Sequence, residues 1–160
     1  MKLLTLYHGS NIDFEKPQLS KSRNRRDFGI GFYLTTIREQ AEQWASTLYT
    51  RYGGKGAYLY TFLFDWSDDL SGKTFSGLNS EWLQMVKESR IVGGLQHDYD
   101  VVMGPVANDD TMPTLALYVD GTISEEAALV ELAYFKANNQ VSLHTEKAMS
   151  RLELTTKETL

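Results

Sequence analysis

Asp27-Phe28-Gly29-Ile30-Gly31-Phe32-Tyr33-Leu34-Thr35-Thr36-Ile37-Arg38-Glu39 is where the chain changes its period. Gly31 to Thr35 is a short apolar run bounded by glycine, which reads as a strand. Thr36-Ile37-Arg38-Glu39 then has the form of a capping box, with the Thr36 hydroxyl and the Glu39 carboxylate placed to satisfy orphan N–H groups. Ile37, Ala41, Trp44, Ala45 and Leu48 follow at helical spacing, and Gly53-Gly54 stops the run. Upstream, Leu3 to His8 reads as an opening strand running into the turn cluster Gly9-Ser10-Asn11, and residues 15–30 form a long, polar, basic loop. Loops of that length in a compact domain are usually functional or disordered.

Downstream, Ala57 to Phe64 reads as a buried strand and Asp65 to Asn79 as a polar connection. Ser80 caps a helix through about Arg90, with Trp82 and Val86 on one face, and Tyr99 to Met103 is a strand ended by Gly104-Pro105. Asp109 or Asp110 caps a helix with Pro113 in its first turn, ending at Gly121, and Ser124 starts another through about Phe135. Gln140 to His144 reads as a strand, Thr145 caps a short helix, and the chain after Leu154 is polar and expected to fray. Strands and helices alternate without the period of a doubly wound sheet, so the fold class is α+β. One domain is expected over residues 1–153, with a polar tail over 154–160.

Composition narrows the chemistry. The 160 residues include no cysteine, which excludes disulfides, thiolate zinc sites and cysteine nucleophiles. The net charge of -5 does not suit a protein that holds duplex DNA by bulk charge. Residues 1–80 carry a net of +2 and residues 81–160 a net of -7. Lys21, Arg23, Arg25 and Arg26 crowd one stretch of the loop, either as a solvated face or as the border of an anion site. No segment approaches the ~20 apolar residues of a membrane span, and a cytoplasmic location is the expectation. The three histidines, His8, His97 and His144, show no metal-ligand spacing. In His97-Asp98-Tyr99-Asp100, strand alternation scatters the side chains over two faces, which favours capping of a strand entry over a metal.

Taken together, the motifs say more. Tyr7-His8-Gly9-Ser10 at a strand end is followed by the Asp27–Thr35 segment, then by Asp98-Tyr99-Asp100 with Gly104-Pro105 and Ala107. Asn138 to Ala148 closes the series with Gln140, His144, Thr145 and Ala148. The set resembles the ADP-ribosyltransferases that carry a His, a Tyr and a third residue in the site. It is most similar to the small prokaryotic family catalogued as DUF3990, and the similarity runs from about Leu6 to Leu152.

That resemblance implies a split, mostly antiparallel β-sheet with flanking helices and a cleft for NAD+ as co-substrate, with no metal. His8 would hydrogen-bond a ribose hydroxyl, the Gly9 backbone would pair with the carboxamide, and Ser10 would belong to the same binding turn. Tyr33 would stack on the nicotinamide ring. Trp44, eleven residues later, would be a second aromatic there, or else core on the apolar helix stripe. A flat cationic pyridinium favours aromatic faces.

Most relatives place a glutamate where this chain has Gln140. Gln140 can accept the same ribose hydrogen bond but cannot act as a base. Glu146 and Asp27 are the candidate substitute carboxylates by proximity in sequence. Asn138-Asn139-Gln140 lacks the Glu-x-Glu of arginine-modifying relatives, which argues against an arginine acceptor. The expected activity is transfer of ADP-ribose to a protein or nucleic acid, with an antitoxin-type protein partner. The alternative is a non-catalytic NAD+ or ADP-ribose binding module.

Overall fold

Strand β1 (Lys2–Ser10), strand β2 (Phe32–Leu34) and helix α1 (Arg38–Tyr52) open the computed structural model, which describes residues 2–107, 111–133 and 138–160. Strand β3 (Tyr58–Trp66), strand β4 (Gly72–Thr74), helix α2 (Ser80–Val92) and strand β5 (Val101–Gly104) follow. Helices α3 (Met112–Val119) and α4 (Glu125–Leu132), strand β6 (Gln140–Leu143), helix α5 (Glu146–Met149) and strand β7 (Leu152–Thr159) complete the order. The protein is a mixed α+β fold of two sheets. One is antiparallel with order β1-β3-β7. The other has order β2-β6-β5-β4, in which only β4 and β5 run parallel.

Alternation along the short strands explains the layers. Phe32, Leu34, Val101, Val141 and Leu143 point from the second sheet toward the first, where Leu6, Phe62 and Phe64 meet them. The intervening residues Tyr33 and Val102 point the other way, into a second core with Trp82, Leu83 and Val86 of α2, Leu115 of α3 and Leu132 of α4. Both faces of the second sheet are thus covered, and Gln140-Val141-Ser142-Leu143 is buried throughout.

The sheets touch through one rung. Tyr7 and Thr35 exchange both main-chain hydrogen bonds, at 2.8 and 2.9 Å. Beyond that rung β1 and β2 part. Helix α1 lies close over β1: a Cβ at Gly9 would come within 2.0 Å of the Ala41 carbonyl oxygen, so this close approach requires glycine.

Several expectations are corrected. Thr36 and Glu39 do not form a capping box: α1 starts at Arg38 with no side-chain cap at Ile37. The Thr35 hydroxyl accepts from Ile37 N instead, and the Asn139 side-chain Oδ1 accepts from Thr36 N at 3.0 Å. Asn79, not Ser80, caps α2 by accepting from Trp82 N. The polar connection 65–79 contains β4. The stretch after Leu154 does not fray; it is the larger part of β7, paired antiparallel with β3 from Leu152 to Thr159. Ser124 and Thr145 cap α4 and α5 as expected. The proposed caps Asp109 and Asp110, and the helix end near Phe135, lie outside the described residues.

Trp44 is 43% exposed, whereas its helix neighbours Ala41 and Ala45 are buried. Of its two alternative places, the core is therefore overturned. Trp44→Ala is expected to cost about 1–2 kcal/mol, clearly below the ~3–5 kcal/mol for Trp82→Ala at a fully buried site. Denaturant melts of the two variants side by side decide it, and equal losses would restore Trp44 to the core.

Candidate active site

His8 sits at the end of β1, between Phe14 and Phe32, with ring centroids 5.9 and 4.4 Å away. Its Nδ1 lies 2.7 Å from the Tyr33 carbonyl oxygen. A carbonyl only accepts, so Nδ1 carries the hydrogen and Nε2 presents a lone pair. Burial lowers the pKa of His8 to about 4, which keeps the ring neutral. Gly9 follows. Because Tyr7 directs its N–H and C=O to Thr35, strand alternation turns those of Gly9 to the same side, past the last rung. Ser10 is turned inward, where its hydroxyl accepts from Ile12 N at 3.0 Å and closes the turn.

Tyr33 is buried at 8% exposure. Its hydroxyl donates to the Gly29 carbonyl at 2.6 Å and accepts from Phe28 N at 3.0 Å, so the ring pins the loop that precedes β2. Burial pushes its phenol pKa well up. The guanidinium of Arg26 lies 4.1 Å from the ring centroid. His8 and Tyr33 are thus joined through the Tyr33 main chain, while the Tyr33 ring faces the second core.

Gln140 opens β6 at 5% exposure. Its Nε2 donates to Asp27 Oδ2 at 3.1 Å and to the Pro105 carbonyl at 3.0 Å. Both partners only accept, so the amide orientation is fixed, and Oε1 meets no donor among the described residues. Asp27, 5% exposed, also accepts from Ala107 N on Oδ2 and from Arg90 on Oδ1. Pro105 O accepts in addition from the Trp82 indole N–H at 2.9 Å. The Gly104-Pro105-Val106-Ala107 turn therefore holds Gln140 and Asp27 together against α2. Asp27 and Phe28, adjacent in the loop, tie Gln140 on one side and the Tyr33 hydroxyl on the other.

Of the two candidate carboxylates, the structure brings Asp27 to Gln140 and leaves Glu146 exposed in the first turn of α5. Arg90 and Pro105 hold Asp27 and Gln140 in place, and sequence reasoning missed both. Pro105 stood inside a recognisable motif, whereas Arg90 carries no local signal. Trp44 lies one turn beyond Gln40 on α1, and the Gln40 side chain donates to Asn139 O, next to Gln140. A shallow depression of about 570 Å³ lined by Glu39, Glu42, Gln43, Ser46, Thr47 and Leu160 lies elsewhere on α1 and touches none of His8, Tyr33 or Gln140.

The other two histidines hold the loop. His97 Nε2 donates to Phe28 O while Nδ1 accepts from Tyr99 N, and His144 Nδ1 donates to Ile30 O with Ser142 Oγ 2.7 Å from Nε2. A Cβ at Gly31 would strike the His144 ring at 2.7 Å. Asp100 accepts from Ser71 N and from the Thr145 hydroxyl, the capping role expected of that motif. Among the described residues no cluster of three metal-ligating side chains occurs.

Burial lowers the His144 pKa to about 4 from the usual 6.5. Between those values the unfolded chain binds the extra proton. Stability is therefore full above about pH 6.5 and falls as pH drops toward 4, with a slope of about 1.4 kcal/mol per pH unit from His144 alone. Denaturant midpoints measured from pH 7.5 to 4.5 should decline accordingly; a flat profile refutes a neutral, buried His144.

The two-sheet frame is of the α+β class read from the sequence. The chain belongs to the family described as proteins of unknown function, DUF3990, whose pattern it matches over residues 4–154. No curated protein and no solved structure matches it. Among the described residues no helix is long and apolar enough to cross a membrane.

Proposed function

We propose that this chain is an NAD+-dependent ADP-ribosyltransferase that moves ADP-ribose to a macromolecular acceptor, protein or nucleic acid. The observation that carries the reading is the oriented amide of Gln140, tied through the Asp27–Phe28 step to Tyr33, whose carbonyl holds His8. NAD+ lies in the cleft where β1 and β2 part. His8 Nε2 accepts from a ribose hydroxyl, and the outward N–H and C=O of Gly9 pair with the carboxamide. Tyr33 and the exposed Trp44 supply aromatic faces.

The bond between ribose C1′ and the nicotinamide nitrogen breaks, and its electron pair leaves with neutral nicotinamide. Gln140 Oε1 accepts from a ribose hydroxyl and directs the negative end of its dipole at the oxocarbenium carbon. The acceptor nucleophile then bonds to C1′ and loses its proton to solvent or to its own groups. Positioning supplies the remainder of the rate. In this reading the enzyme acts in the cytoplasm as the toxin of a toxin–antitoxin pair, restrained by a partner protein.

One observation favours a second reading. Asp27, the carboxylate nearest Gln140, already has both oxygens engaged by Arg90, Ala107 and Gln140, so it is not placed as a free base. A non-catalytic module that binds NAD+ or ADP-ribose and docks on a partner fits that arrangement. Incubation of the protein with labelled NAD+ and whole-cell lysate separates them. Label transferred to protein or nucleic acid is the expected result, and NAD+ binding with no transfer supports the module.

A further inference from the structure

The basic loop does not present its arginines alike. Arg25 Nη1 donates to Arg90 O and Ile91 O at the end of α2, and Arg23 lies 5.7 Å above the Tyr52 ring. Arg26 is different. It is half-buried with its guanidinium 4.1 Å from the Tyr33 ring centroid, and no hydrogen bond or ion pair joins it to a described residue. Its five N–H donors thus meet no acceptor among the described residues. The adjacent acid, Asp27, is taken by Arg90. Burial lowers the Arg26 pKa, and the Arg26 charge adds to burial in lowering that of His8.

We propose that Arg26 is a latch with two positions: in the free protein its flat cation occupies the face of Tyr33, and a diphosphate ligand draws it off that face. The inference rests on the function proposed above and deepens it. Guanidinium and pyridinium are both planar cations and compete for one electron-rich ring face. A phosphate offers the guanidinium paired, charge-assisted hydrogen bonds, which are stronger than the ring contact it gives up. The pyrophosphate of NAD+ therefore releases the face that its own nicotinamide needs. A nicotinamide ligand without phosphates has to displace Arg26 unaided. The latch makes the site selective for the dinucleotide.

Titration calorimetry on the wild type, Arg26→Ala and Arg26→Lys tests this with three probes: NAD+, ADP-ribose and nicotinamide riboside. For Arg26→Ala the expected shifts have opposite signs. ADP-ribose binds about tenfold more weakly because its diphosphate loses a charged partner. Nicotinamide riboside binds several-fold more tightly, because the Tyr33 face is vacant. Arg26→Lys keeps the charge without the flat stack and should show the same signs at smaller size, which preserves the test if the alanine variant fails to fold. Shifts of one sign for both ligands, or no shift, overturn the latch while NAD+ binding stands. Failure of the wild type to bind any of the three overturns the proposed function and the latch with it.

Discussion

Asp27→Ala is expected to lower the folding free energy by about 3–5 kcal/mol, the range for removing one partner of a buried ion pair. The Asp27 side chain is 7% exposed and joins three parts of the fold: Arg90 of α2, the main chain at Ala107 and Gln140 of β6. Its loss leaves the Arg90 guanidinium uncompensated and two N–H groups without an acceptor. Arg90 retains 25% exposure and can turn partly to water, which places the effect toward the lower end of the range. Asp27→Asn is expected to cost less, about 1–3 kcal/mol, and to act on the site. An amide at 27 can present an N–H to Gln140, which reverses the Gln140 amide and turns inward the oxygen proposed to accept from the ribose. Denaturant melts and ADP-ribose transfer assays on both variants check this. Wild-type stability in Asp27→Ala means that the ion pair does not tie the loop down.

Gln140→Ala is expected to lower turnover about 10²–10³-fold, the usual cost of removing one preorganised polar group from a site where charge develops. Gln140→Asn keeps the amide but falls short by one methylene, so it behaves closer to alanine. Gln140→Glu is the informative change. It places a second carboxylate within hydrogen-bond distance of Asp27, where the native Nε2 is 3.1 Å from Oδ2. Two such groups share one proton, which raises one pKa. NAD+ binding is retained, and hydrolysis of NAD+ by water rises with pH as the pair loses that proton and a base appears. Transfer at the wild-type rate by all three variants removes Gln140 from the site.

The elements legible in the sequence are those whose signals are local. The Ile37–Leu48 spacing gives α1, the aromatic run gives β3, and Ser124 and Thr145 mark their helices because a cap needs only neighbours three residues away. β4 was hidden because Gly72-Lys73-Thr74 is three polar residues paired parallel to β5, with no alternation long enough to read. β7 was hidden because it is a mostly exposed edge strand; its threonines, favoured in strands, were the signal. The motif order named Gln140, His8 and Tyr33, but not what holds them. Arg90 reaches Asp27 across 63 residues and Asn139 reaches Thr36 across 103, and no local pattern encodes such pairings. Trp44 stands open between core and site in the sequence because it lies at the margin of its helix stripe, where spacing alone does not separate a buried from an exposed position.

The same long reach sets the order in which the molecule assembles and comes apart. The bond from Gln140 to Asp27 closes a separation of 113 residues, and that from Asn139 to Thr36 one of 103. Such side-chain bonds add little until the strands that carry them are in place, so they are expected to close after the barrier is crossed. Asn139→Ala should therefore speed unfolding and leave the refolding rate nearly unchanged, as stopped-flow chevrons can show. The side-chain bonds at Asn139 and Gln140 are thus expected to close only once β2 and β6 have paired and the cores on either side of them have packed.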